Sequence, residues 1–129
     1  MSPYDLLGGE AVIQALTSRF YELMDNLPEA AACRAIHPAD LGPARQKLFE
    51  YLSGWLGGPP LFTDKYGPPM LRRRHFPAKI TAIEAEGWLI CFRQAWAETT
   101  SDPALTAQIM PRIEALGQHM INAGQAQPT

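Results

Sequence analysis

From Gly9 onward, Val12, Ile13, Leu16, Phe20, Leu23, Met24 and Leu27 recur three or four positions apart, with polar residues filling most of the gaps. That spacing gathers the apolar side chains on one face of a helix. Asn26-Leu27-Pro28 closes it, because proline disfavours helical geometry in the residue before it. Tyr21 stands beside Phe20 at the edge of this stripe. Its hydroxyl either meets water or points into a pocket, where it needs a hydrogen-bond partner. Ala30-Ala31-Ala32 predicts a short helical turn that ends in a bend at Ile36-His37-Pro38. His37 precedes a proline and is pushed toward extended geometry; a histidine in a loop is more often a surface residue than a site residue.

A second stripe runs through Leu41, Ala44, Leu48, Tyr51, Leu52, Trp55 and Leu56. Asp40 is its expected N-cap, Pro43 suits the first turn, and Lys47 and Glu50 fall on the solvated side. Gly57-Gly58-Pro59-Pro60 stops this helix. Residues 57–70 are rich in Pro and Gly and read as a long ordered loop, with Phe62 and Tyr66 packing inward. Pro77 opens a further helix bearing Ile80, Ile83, Trp88, Leu89, Phe92, Ala95 and Trp96. Aromatic stripes at this spacing are usually core. After a break at Thr99-Thr100-Ser101, Asp102 caps a last helix and Pro103 takes its first position. That helix carries Leu105, Ile109, Ile113, Leu116, Met120 and Ile121 and fades at Gly124, leaving a tail expected to fray. No long stretch alternates with period two. The prediction is an all-α fold in a single domain spanning 1–129.

Composition narrows the function classes. The 129 residues carry a formal charge of -2, which argues against a nucleic-acid binder, whose affinity rests on excess basic groups. The chain has no apolar run of membrane-spanning length and no basic-plus-apolar leader, so a soluble, cytoplasmic protein is expected. Cys33 and Cys91 are far apart and form no metal or covalent-attachment spacing, so two buried or indifferent thiols are the expectation.

The chemistry concentrates in Met70-Leu71-Arg72-Arg73-Arg74-His75-Phe76-Pro77, where three cations run directly into a histidine. A neutral imidazole is a good iron ligand, and cations beside it can meet carboxylates through charge-assisted hydrogen bonds. These features alone do not establish a haem site. An ordered series of motifs adds to them: Gly8-Gly9, Phe20-Tyr21, Pro38-Ala39-Asp40-Leu41, Leu56-Gly57-Gly58-Pro59-Pro60-Leu61-Phe62, Pro69-Met70-Leu71-Arg72-Arg73-Arg74-His75 and Trp88-Leu89 with Cys91. From about Tyr4 to Asn122 the chain resembles the group II truncated haemoglobins, bacterial globins with a two-over-two helical sandwich around haem.

The resemblance implies non-covalent (b-type) haem, iron protoporphyrin IX, with His75 as the proximal iron ligand. Arg72, Arg74 and Lys47 become candidates for the propionates, and Leu48, Phe62 and Met70 for apolar contact with the cofactor. Tyr21, His37 and Trp88 are placed around a distal ligand, beside Ala44 and Leu48. Donors already aimed at a charge-accepting diatomic, in a pocket that excludes water, hold it more strongly than they would in water. High oxygen affinity follows, with CO, NO and peroxide as further ligands. NO dioxygenation or peroxidase-like turnover are the enzymatic versions, and each needs a reductase or substrate that the sequence does not name. His37 stands where relatives often carry phenylalanine or tyrosine, and it is a group whose charge changes near neutral pH; it is also a candidate sixth ligand in the resting state. Ala44 stands where ordinary globins keep a distal histidine, and it leaves an opening for small ligands. The competing reading is a haem-free helical interaction module, against which Tyr21, Trp88 and His75 speak. A monomer or weak homodimer is expected.

Overall fold

The computed structural model describes residues 1–123. The tail predicted to fray, and Gly124 with it, lie outside the described residues. All regular structure among the described residues is helical, as the periodicity predicts.

The first helix, α1 (Pro3–Leu7), was not legible as an apolar stripe. It is made by its ends: Ser2 Oγ accepts from the Asp5 amide at 3.2 Å, Pro3 fills the first turn, and Gly8 closes it in the left-handed region. Helix α2 (Glu10–Asn26) ends before Pro28 as expected, and a 3-10 turn (Pro28–Ala30) leads into α3 (Ala31–Ala35). Helix α4 (Gly42–Trp55) corrects the expected cap. Leu41 holds the N-cap position, while the Asp40 carboxylate accepts from the Gly42 amide at 2.9 Å, one residue upstream of the predicted role.

The Pro/Gly-rich stretch is not only loop. Leu61–Tyr66 forms α5, started by Pro60 and anchored by buried Phe62. Met70, with φ 42°, then turns the chain into α6 (Leu71–Arg74), a single turn ending at His75. Helix α7 (Ala82–Thr99) begins later than Pro77. Thr81 sets its start: its Oγ1 accepts from the Ile83 amide (3.2 Å), and its own amide donates to Glu84 Oε1 (2.7 Å). Ile80 therefore precedes the helix, and Ile83 is exposed rather than core. Asp102 and Pro103 open α8 (Pro103–His119) as predicted, but the helix stops before Met120.

Helix α2 packs on α4 and α7, and α7 packs on α8, so two helix pairs enclose the core. Phe20, Leu52, Leu89, Phe92, Trp96, Ile109 and Ile113 are almost completely buried there. Trp96 Nε1 donates to Thr106 Oγ1 at 2.7 Å, which satisfies the indole and ties α7 to α8. Two glycines set how closely elements approach. A Cβ on Gly58 would lie 2.4 Å from the Tyr4 ring, and one on Gly117 would lie 2.8 Å from the Leu89 side chain. The α7–α8 ion pair of Arg93 with Glu114 and the α2–α7 pair of Arg19 with Glu98 are partly exposed and contribute little. A smaller apolar cluster of Ile80, Ala85 and Ile121, with Ile36, Ala78 and Met120 against it, joins the chain after His75 to the end of α8.

Candidate functional site

Between the helices lies a cavity of about 520 Å³, a size that suits a ligand rather than a packing defect. Its wall is predominantly apolar, and Tyr21, His37, Ala44, Lys47, Leu48, Phe62, Arg74, His75 and Trp88 all line it. These come from α2, the bend after α3, α4, α5, the α6 turn and α7, so residues scattered over nearly seventy positions share one space. Met70 and Arg72 are not in that wall. Met70 is half exposed, and the Arg72 guanidinium lies 5.4 Å over the Phe76 ring and donates to the Ile121 carbonyl at 3.4 Å.

One side is built by α2 and α7. Phe20 is fully buried and meets Tyr21 edge-on at 4.7 Å and Trp88 at 5.4 Å, which sets both rings at the cavity. Of the two readings open for Tyr21, the fold selects the pocket: the residue is buried, and burial raises its phenol well above the ordinary range. His37 is half-buried with its ring 6.1 Å from that of Tyr21. Its Nδ1 lies 2.8 Å from the Cys33 carbonyl. A carbonyl only accepts, so Nδ1 carries the proton and Nε2 keeps its lone pair. Burial lowers the His37 pKa further, against the bond to Cys33 and with help from the charges of Arg34 and His75. The two free thiols are buried, Cys33 in the cavity wall with its pKa pushed up to about 12 and Cys91 to about 11, both mainly by burial, and both therefore unreactive thiols.

The opposite side is the α6 turn. His75 Nδ1 lies 2.6 Å from the Leu71 carbonyl, the same oxygen that accepts the His75 amide at 3.0 Å. This fixes the tautomer and leaves Nε2 as a metal donor. Arg74 lies over the Phe62 ring at 5.4 Å, its Nη2 donating to the carbonyls of Tyr66 (2.9 Å) and Pro68 (3.0 Å). Lys47 sits 5.4 Å over the Tyr66 ring.

Glu50 departs from its expected solvated place. It is buried, and its carboxylate accepts from Tyr66 Oη at 2.9 Å and Lys65 Nζ at 3.2 Å. The reason is α5, which the sequence pattern did not reveal and which lies against α4. Burial opposes ionisation of Glu50, but the hydrogen bonds from Tyr66 and Lys65 outweigh it and hold the carboxyl below its usual range. Between the folded and unfolded pKa values the unfolded chain binds more protons. The stabilisation is therefore complete above the ordinary carboxylate range and is lost as pH falls through the depressed value. Denaturation curves taken down through that range are expected to flatten in Glu50→Gln relative to the parent; identical slopes would remove the role.

The donor set decides which kind of metal group fits. Among the described residues no group of three or more His, Cys, Asp or Glu could hold a bare ion. His75 offers one bond, so a metal here must bring its other ligands with it. A planar macrocycle with an apolar body and anionic edges matches the apolar wall, the His75 imidazole and the cations Lys47 and Arg74. The residues fit haem. Sequence reasoning took Tyr66 only as a packing aromatic and left Cys33, Glu84 and the α8 residues Leu116 and Gly117 outside the site; helical spacing marks such positions as core and cannot show that core residues border a cavity.

Comparison with known proteins points the same way. The sequence model of the bacterial-like globin family matches residues 2–122. The group 2 truncated hemoglobin YjbI of Bacillus subtilis (strain 168) is 35% identical over 126 residues, covering 98% of this chain and 92% of the relative. The group II 2-on-2 hemoglobin from the plant pathogen Agrobacterium tumefaciens is 53% identical and superposes with a TM-score of 0.93, covering 95% of each chain. The cold-adapted truncated hemoglobin from the Antarctic marine bacterium Pseudoalteromonas haloplanktis TAC125 is 40% identical with a TM-score of 0.92, covering 96% of this chain and all of that one. The chain, all-α with its helices paired two over two, thus belongs to the bacterial-like globin family, among the group II truncated haemoglobins.

Proposed function

We propose that this globin holds haem b without covalent attachment in the cavity bordered by His75 and binds dioxygen and other small diatomic gases reversibly. Haem-based oxygen binding is general to the family. The observation that carries the reading here is the His75 imidazole, its Nδ1 proton committed to the Leu71 carbonyl at 2.6 Å and its Nε2 left for iron. When bound, haem supplies a ferrous iron with one position open to a gas.

The chain's own residues do the rest. Lys47 and Arg74 stand in the cavity wall and pair with the propionates, while Leu48 and Phe62 cover the apolar body of the ring. Tyr21 and Trp88 are the donors to the gas. The indole N–H can only donate, which suits an oxygen ligand. His37, with its proton on Nδ1 and its ring 6.1 Å from that of Tyr21, presents only a lone pair at Nε2, so donation to the gas falls to Tyr21 and Trp88. Ala44 cannot hydrogen-bond, so it leaves stabilisation to those donors and keeps an opening for entry. Strong donors slow gas release, which favours storage, sensing or chemistry on the held gas over transport; a reducing partner keeps the iron ferrous.

Absorption spectra of the ferric, reduced and carbon monoxide forms test the reading directly. A Soret band that shifts with carbon monoxide is expected; a protein that stays colourless with haem in excess would leave a helical interaction module instead. Oxygen release tests the donors. Removing one donor to a partly charged acceptor is worth about 1.5–3 kcal/mol, so Tyr21→Phe and Trp88→Phe are each expected to release oxygen roughly 10- to 100-fold faster. Unchanged rates would rule the hydrogen bonds out.

A further inference from the structure

The five residues after His75 form no regular element, although they carry the proximal histidine away from α6 and into α7. A loop held only by its ends would let that histidine wander. One side chain from the segment after α8 reaches this loop. Asn122 Oδ1 accepts from the Ile80 amide at 2.9 Å, while its Nδ2 donates to the Ala78 carbonyl at 3.0 Å and to the His75 carbonyl at 3.3 Å. Because the Ile80 amide can only donate and both carbonyls can only accept, the orientation of the amide is determined and all three of these groups are used. The main chain repeats the join, with the amides of Asn122 and Ala123 donating to the Ile80 carbonyl at 2.9 and 3.1 Å. Ile121 packs in the small apolar cluster with Ile80, and its carbonyl accepts from Arg72 at 3.4 Å.

We propose that Asn122 is a positioning residue for His75: the segment leaving α8 staples the histidine-bearing loop, and its side-chain amide sets where the imidazole stands relative to the cofactor. The inference rests on the haem reading above but concerns a residue outside the cavity wall. The cluster of Ile80, Ala85 and Ile121 supplies adhesion without direction, since apolar contact is indifferent to small shifts. The amide supplies direction, because a hydrogen bond weakens steeply when its angle is lost. Local α6 geometry fixes the tautomer of His75, through Leu71. Asn122 fixes the height and tilt of the backbone that bears it.

Two variants separate these roles. Asn122→Ala removes all three side-chain bonds. Asn122→Asp keeps an acceptor for the Ile80 amide but turns an oxygen toward the carbonyls of His75 and Ala78, so it tests the bonds to those two groups alone. In haem-free protein, hydrogen exchange at the amides of Phe76, Ala78, Lys79 and Ile80 is expected to quicken roughly tenfold in both variants, with α2 and α7 unchanged. In the loaded ferrous protein the iron–histidine stretching band is expected to shift and broaden, and haem transfer to an apomyoglobin acceptor to become roughly tenfold faster. Faster exchange with an unmoved iron–histidine band would overturn the proposal, because the staple would then hold the loop without placing the histidine. Unchanged exchange in both variants would overturn it outright. Should the parent bind no haem, the reading under Proposed function fails, and the exchange arm alone still decides whether Asn122 orders this loop. Should Asn122→Ala fail to fold, Asn122→Asp carries the same comparisons.

Discussion

His75→Gly is expected to lose haem while keeping its fold. Losing a group that merely orients a metal ligand costs about 10- to 100-fold in metal affinity, so losing the ligand itself is expected to cost more than about 100-fold. The fold has little at stake, because the His75 side chain is exposed and, among the described residues, its ring bonds only the carbonyl of Leu71. The variant should therefore show the parent's helical circular dichroism and haem-free melting temperature. Its Soret band should be weak or absent after purification and should recover in part when free imidazole is added to stand in for the missing side chain. A variant that held haem as tightly as the parent, with an unaltered ferrous spectrum, would show that the iron is bound elsewhere.

Phe20→Ala is expected to have the largest effect on stability. Phe20 is fully buried on α2 and touches three aromatic rings: Tyr21 at 4.7 Å, Trp88 at 5.4 Å and Phe92 at 6.2 Å. Truncating a buried phenylalanine costs about 3–5 kcal/mol, a large part of the roughly 5–15 kcal/mol that holds a domain together. The cavity it leaves lies behind Tyr21 and Trp88, so both side chains lose the ring that abuts them. Oxygen release should quicken in the same variant even under conditions where it is fully folded. Phe20→Leu retains most of the volume and should give smaller changes in the same direction. Chemical denaturation and gas-release rates check both, and a cost below about 1 kcal/mol for Phe20→Ala would contradict the packing described here.

Much of this could be read along the chain, for identifiable reasons. The ends of α2 and the start of α8 were legible because Pro28, and Asp102 with Pro103, act through their own backbone bonds. The start of α7 was misjudged at Pro77 because Thr81 and Glu84 form a reciprocal cap that outranks an upstream proline. Helix α5 is not legible because a helix of six residues has no periodicity to display, and its warrant is the burial of Phe62 against α4, where it meets Tyr51. Glu50 followed from the same omission. On α4 alone it belongs to the polar face, and only Tyr66 and Lys65 on α5 make its burial tolerable.

Read along the chain, periodicity specifies the four long helices α2, α4, α7 and α8, most of their apolar faces, and the types of residue available for chemistry: an imidazole after three cations, a phenol beside a buried ring, an indole on a core helix. These are local properties, set by side-chain period, capping and residue type. Long-range packing is what turns Tyr21 to a cavity and not water, sets Lys47 and Arg74 at its border while Arg72 turns to Phe76 and Ile121, and brings Asn122 back to the loop after His75. Each of those depends on which side of a helix meets which partner across a long separation in sequence. That choice is made by packing and by the pairing of buried polar groups, neither of which has a signature in a single stretch of chain.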